Sequence, residues 1–261
     1  MNGLRHYLLA LQFFTRVPVT GRLAEWVGFS PQMLRASAAH FPGVGWLVGG
    51  AGAAVFVLAL QGLPGLVAAL LSMAATALLT GAFHEDGLAD VADGLGGSAD
   101  RGRALEIMKD SRIGAFGAIA LVLVLGLKAA LLAALAGQGA PAAVAAAVVA
   151  AHVLSRLAPL FLIRWLPYVG DAGASKAKPL ADAIGAGALG VGVLWSLPAA
   201  GLLLATQGPA RTLAAVLACA LAALAMARLF RRRLQGFTGD GLGATQQVCE
   251  IAIYLALAWR A

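Results

Sequence analysis

The chain has 261 residues, of which 61% are hydrophobic and only 12% charged, with a formal net charge of +7. Soluble domains carry about 25% charged residues, so this composition excludes an ordinary soluble protein and indicates a polytopic membrane protein. The basic residues are scattered over several short segments, which fits an orientation signal and anionic membrane lipid as a partner and argues against nucleic acid.

In chain order, Leu4 to Phe14 reads as an interfacial helix that runs into a Pro-broken turn at Thr15-Arg16-Val17-Pro18. It is short, carries Arg5 and His6 and lacks a small-residue cleavage site, so it does not read as a cleavable signal. Residues 19 to 40 read as a cytoplasmic loop with a short helix starting near Ser30-Pro31. Seven apolar stretches follow, at 41–60, 64–83, 114–135, 141–163, 184–206, 209–230 and 242–259. Each is near the length that crosses about 30 Å of hydrocarbon, and the last either spans or folds back. Glycines such as Gly45 and Gly49 in the first stretch fit close helix packing.

Basic residues in short loops stay on the cytoplasmic side. Arg5, Arg16, Arg22 and Arg35 precede the first stretch, and Arg101, Arg103, Lys109 and Arg112 follow the second. Arg164, Lys176 and Lys178 follow the fourth, Arg231, Arg232 and Arg233 follow the sixth, and Arg260 sits at the end. The opposite loops hold only Arg211, so the bias alternates and predicts a cytoplasmic N-terminus. No linker separates two domains. The expectation is an all-α bundle of about seven transmembrane helices, one membrane-embedded catalytic domain over 1–261, with 84–113 as its cytoplasmic active-site loop.

That loop holds seven of the chain's twelve acids. Asp86, Asp90 and Asp93 have i, i+4, i+7 spacing, so a helix places them on one face, where unpaired carboxylates repel one another. Such a set of hard oxygen donors suits magnesium, which keeps several waters and completes its shell with substrate phosphate. Zinc would want His and Cys ligands, and here His84 stands alone; Cys219 and Cys249 lie apart in apolar segments. Downstream, Lys109 and Arg112 followed by Gly114 and Gly117 at a helix start suggest a phosphate grip.

A third cluster runs from Gly236 through Thr238, Gly239 and Asp240 to Gly243 and enters a helix with Gln246, Gln247 and Glu250. Its glycines let the backbone approach a ligand, and Asp240 could serve a metal or a hydroxyl. Lys128, His152, Ser155 and Arg156 lie inside predicted spans, where a charge needs a partner or a wet cavity. Lys128 reads as snorkelling or paired, and Arg156 as neutralising an acid or a phosphate within the bundle. Together these clusters point to attack by an alcohol on a diphosphate, with a nucleoside monophosphate leaving.

The residues resemble a known family, the membrane-embedded adenosylcobinamide-GDP ribazoletransferases or cobalamin synthases. His84-Glu85-Asp86-Gly87-Leu88-Ala89-Asp90 with Asp93-Gly94 is similar to the family's first signature, and Leu105 to Gly114 to its second. Thr238-Gly239-Asp240 with Leu242-Gly243-Ala244 is similar to its third, and Phe14 to Val19 and Phe41-Pro42 with Val44-Gly45 also match. Three positions depart from the pattern: Glu85 stands where an apolar residue is usual, Gln235 where a glycine is, and Gln247 where an acid is.

The resemblance implies that adenosylcobinamide-GDP is joined to α-ribazole or its 5′-phosphate, with release of GMP and with magnesium as cofactor. It implies a multi-pass protein of the bacterial inner membrane whose active site faces the cytoplasm. Asp86, Asp90 and Asp93 are then the expected metal ligands, and His84 and Asp110 the alternative general bases. Lys109, Arg112, Gly114, Arg156, Thr238, Asp240 and Glu250 are the expected substrate contacts. A homo-oligomer is left open.

Two other readings compete. A CDP-alcohol phosphotransferase of phospholipid synthesis also begins its motif Asp-x-x-Asp-Gly, but continues Ala-Arg, whereas Gly94 is followed by Leu95-Gly96-Gly97. A cation-binding transporter would place its acids near the bilayer midplane on broken helices, not in a cytoplasmic loop.

Overall fold

The computed structural model describes residues 2–170 and 184–259. Lys176, Lys178 and Arg260, which contribute to the charge bias, lie outside the described residues. Those described are helical, apart from loops and an isolated bridge between Tyr168 and Phe237. The all-α expectation holds.

Three short helices form an N-terminal shelf: α1 (Asn2–Phe14), α2 (Gly21–Val27) and α3 (Pro31–Ser37). Ser30 caps α3 by accepting from Met33 N at 3.1 Å, with Pro31 in the first turn, as the Ser-Pro pair predicts. A 3-10 turn at Ala38–His40 carries the chain into α4 (Phe41–Ala59).

The next pair, α5 (Gly65–Thr80) and α6 (Phe83–Gly97), meets at an angle of 91°. Gly81 at φ 68° and Ala82 at φ 56° supply the left-handed turn. Arg16 clamps the bend, its backbone N donating to Leu79 O at 2.7 Å and its side chain resting on Gly81. With Glu85, Asp86, Asp90 and Asp93 on 15 residues, α6 belongs outside the hydrocarbon. After α7 (Arg101–Ile107) come α8 (Ala115–Ala136), α9 (Pro141–Ser155), α10 (Ala158–Trp165), α11 (Ala186–Arg233) and α12 (Gly239–Ala258).

Among the described residues four helical stretches are long and apolar enough to cross a membrane, or five if the bent α5–α6 pair is one span. The expected count of seven is not confirmed. The stretches at 184–206 and 209–230 both lie in the 48-residue α11, which is two helices parted at Gly208, whose non-helical φ of 80° and ψ of 170° precede Pro209. The helix α5 has only 16 residues, about 24 Å of rise. The helix α12 begins with Asp240, Gln246, Gln247 and Glu250, too polar for hydrocarbon contact, and residues 241 to 247 are all buried in protein.

Small residues set the tightest contact, α4 on α9. A Cβ at Gly45 would stand 2.6 Å from His152 O, and one at Gly49 would stand 2.9 Å from the Val149 Cα, so the backbones touch. Beside this contact lies a buried ionic cluster joining α8, α9 and α12. Lys128 Nζ sits 2.7 Å from Glu250 Oε1, and His152 Nε2 3.5 Å from the same oxygen. Gln246 Nε2 donates to Glu250 Oε2 at 2.8 Å and Tyr254 OH to Oε1 at 3.2 Å. Lys128 thus pairs inside the bundle instead of snorkelling.

Removing one partner of such a pair strands a buried charge. Glu250→Ala is expected to cost about 3–5 kcal/mol, while the double change Lys128→Met with Glu250→Leu recovers most of it. Thermal unfolding in detergent checks this, and equal losses in the two proteins would show the pair to be unimportant.

Candidate active site where α6 crosses α12

The helix α6 lies against the start of α12. A Cβ at Gly87 would stand 2.7 Å from Asp240 O and 3.0 Å from its Cα, so only glycine permits this approach. One turn away, a Cβ at Gly243 would meet the His84 backbone at 3.3 Å. These contacts bring Asp240 to Asp86 and Asp90, which are about 150 residues distant along the chain.

The electrostatics record the crowding. Burial, then the charges of Asp240, Asp86 and Asp93, push the Asp90 carboxyl up to about 7. Asp240 is pushed up to about 6 by burial and by Asp86. Among the described residues no three His, Cys, Asp or Glu side chains form a ready-made metal cage. Magnesium suits such an open arrangement, because it takes one or two carboxylates and fills its shell with water and phosphate.

Asp93, expected beside Asp86 and Asp90, has another task. Its carboxylate accepts from Gly114 N at 2.7 Å and Gly117 N at 2.8 Å, so it caps α8 from α6. The helix start that looked free for a phosphate is thereby occupied, and Gly114 binds Asp93. Asp110 and Arg112 form an exposed pair at 2.6 Å, and the guanidinium holds the Asp110 carboxyl down at about 2. That carboxylate is a poor general base near neutral pH. Lys109 is exposed on the same surface.

Thr238 caps α12, its Oγ1 accepting from Gly241 N at 3.0 Å. Glu250, expected to touch substrate, is 0% exposed within the ionic cluster. Arg156 Nη1 donates to His152 O at 2.9 Å, and Arg156 lines a cavity with His84. Sequence reasoning missed the aromatic wall of that cavity, because its phenylalanines come from separate helices and read singly as core residues.

The chain matches the model of the family described as cobalamin-5-phosphate synthase over residues 6–258. It belongs to that family. It is 61% identical to the adenosylcobinamide-GDP ribazoletransferase of Albidiferax ferrireducens, over 98% of each chain. It is 52% identical to the protein of the same name from Leptothrix cholodnii, over 96% of this chain and 94% of that one. With the Shewanella pealeana protein of that name the figures are 41%, 96% and 93%. No solved structure matches.

Gln247 on α12 also meets Glu85 on α6, its Nε2 donating to Glu85 Oε1 at 3.0 Å. Gln235 stands at φ 59°, where a side chain costs about 1–2 kcal/mol.

Because the folded pKa of Asp90 lies above the 3.8 of a free aspartate, the folded state holds the extra proton between 3.8 and about 7. Stability then falls as pH rises through that window. In metal-free buffer the Tm is expected to decline over this range, and Asp90→Asn should flatten the decline; an unchanged slope in Asp90→Asn would contradict the crowded-carboxyl geometry.

Proposed function

We propose that this chain joins adenosylcobinamide-GDP to α-ribazole or its 5′-phosphate and releases GMP, at the cytoplasmic face of a membrane. The observation that carries the reading is the meeting of Asp86 and Asp90 on α6 with Asp240 on α12, a crowded set of hard oxygen donors. The family membership supports the choice of reaction over phospholipid synthesis or cation transport.

Asp86, Asp90 and Asp240 would hold magnesium, which supplies charge neutralisation at the diphosphate when bound. Asp93 fixes the start of α8 relative to the acids. Arg112, which lines a groove with Asp93, exchanges Asp110 for diphosphate oxygens, with the exposed Lys109 near it in the chain. A hydroxyl of the ribazole ribose attacks the phosphorus nearer the cobinamide. The P–O bond to GMP breaks and the hydroxyl proton is released to water; His84 lines the neighbouring cavity, but burial and then the Arg156 charge hold its imidazole well below the usual range, so it is no better a base than Asp110. Arg233 Nη2 donates to Leu95 O at 3.1 Å and Ser98 O at 2.7 Å, tying the end of α6 to α11 and holding the acids at the edge of the bundle.

The test is GMP release by the purified protein in lipid from adenosylcobinamide-GDP plus α-ribazole, with and without magnesium. No GMP with magnesium present would sink the reading. Asp90→Asn and Asp240→Asn are each expected to lose about 100-fold or more in kcat, while the proteins still insert. Full activity in Asp240→Asn would return the third ligand to Asp93. Arg112→Ala should raise the KM of the diphosphate substrate and not that of α-ribazole; equal effects on both would mean that the phosphate grip lies elsewhere.

A further inference from the structure

A cavity of about 330 Å³ lies between the α9–α10 segment and the second half of α11. Leu154, Phe161 and Trp165 form one wall, and Val216, Ala220 and Leu224 the other. The stretches Pro141–Trp165 and Ala186–Arg233 are both long and apolar enough to cross a membrane, and Leu217 and Leu221, next to these wall residues in α11, are exposed. In a bilayer such a groove opens toward hydrocarbon, which suits an apolar chain and not a water-soluble metabolite.

At one end the groove meets a band of positive charge. On α10, Arg164 lies one turn past Phe161 and next to Trp165. On α11, Arg228 and Arg231 follow Leu224 at i+4 and i+7, so they continue its face. Two contacts hold the segments in register. Ala158 clusters with Ala223, and beyond the helices Val169 N donates to Phe237 O and Phe237 N to Pro167 O, each at 2.9 Å. Arg164 stands six residues past the first contact and Arg228 five, which puts them at a similar depth.

All three arginines are exposed, and none forms a hydrogen bond or ion pair with another described residue. Arg233, by contrast, is engaged by Leu95 O and Ser98 O. Trp165 is 54% exposed, as indole rings are where hydrocarbon gives way to water.

We propose that the groove binds one anionic phospholipid, with an acyl chain between Phe161, Trp165 and Ala220 and the headgroup phosphate on Arg164 and Arg228. Guanidinium pairs with phosphate through two hydrogen bonds, and a cluster of arginines with no described acid paired to it favours a lipid of net negative charge over a zwitterionic one. A second copy of this chain fits less well, because a two-fold contact across the same surface sets the arginines of both copies against one another. The site is independent of the reaction proposed above and shares no residue with it.

Native mass spectrometry of the whole protein in detergent, titrated with phosphatidylglycerol or phosphatidylcholine, counts the bound lipids. One phosphatidylglycerol per chain is expected, held about tenfold or more tightly than phosphatidylcholine. Each arginine at a membrane surface is worth about fivefold, so Arg164→Gln with Arg228→Gln should weaken phosphatidylglycerol about 25-fold and leave phosphatidylcholine unchanged. Ala220→Trp, at an exposed position where a larger side chain fills the groove, should remove the bound lipid and leave the Tm of the lipid-free protein unchanged.

Equal retention of the two lipids overturns the assignment, as does phosphatidylglycerol binding that survives the double arginine change. Displacement of the lipid by inorganic phosphate alone also overturns it, in favour of a site for soluble anions. A dimer that Ala220→Trp converts to a monomer overturns it in favour of a second copy.

Discussion

With no side chain at Gly87, the α6 backbone rests directly on that of Asp240, and most of the site follows from this contact. It fixes the angle at which α6 leaves the bundle and brings acids from α6 and α12 into one electrostatic group. It also brings the His84 end of α6 against Gly243, beside the aromatic cavity. A methyl group at residue 87 would push the two helices apart and disperse all three features.

Two charge systems sit on opposite sides of this crossing and obey different rules. Inside the bundle, Glu250 is matched by Lys128 and by hydrogen bonds from Gln246 and Tyr254, so its charge is compensated by protein alone. At the edge, Asp90 and Asp240 lack cationic partners among the groups that shift them, and the mismatch appears as raised pKa values. The first arrangement holds helices together; the second costs stability and is the sort of expense that proteins tolerate at sites of chemistry. Asp93 adds its charge to the second group, but its oxygens are held by the α8 amides of Gly114 and Gly117.

Much of this was legible in the residues. Helix periodicity and the Ser30-Pro31 signal located α1 and α3, and the acidic run after His84 drew attention to α6. Hydropathy placed a break between 206 and 209, where Gly208 divides α11, but it does not register the burial of the polar residues of α12 within the bundle. The i, i+4, i+7 rule put Asp86, Asp90 and Asp93 on a common helical face but could not say what that face meets. In the fold, Asp93 meets the start of α8 and Asp90 meets α12.

The sequence by itself determined the all-helical membrane class, the family and the acid-bearing loop, since composition and local spacing are properties of neighbouring residues. Tertiary structure alone decided that Asp240 joins Asp86 and Asp90, that Glu250 is sealed inside with Lys128, and that phenylalanines from α1, α4 and α6 form one cavity. Those outcomes depend on which helices touch and how closely, and that is set by packing between residues far apart in the chain.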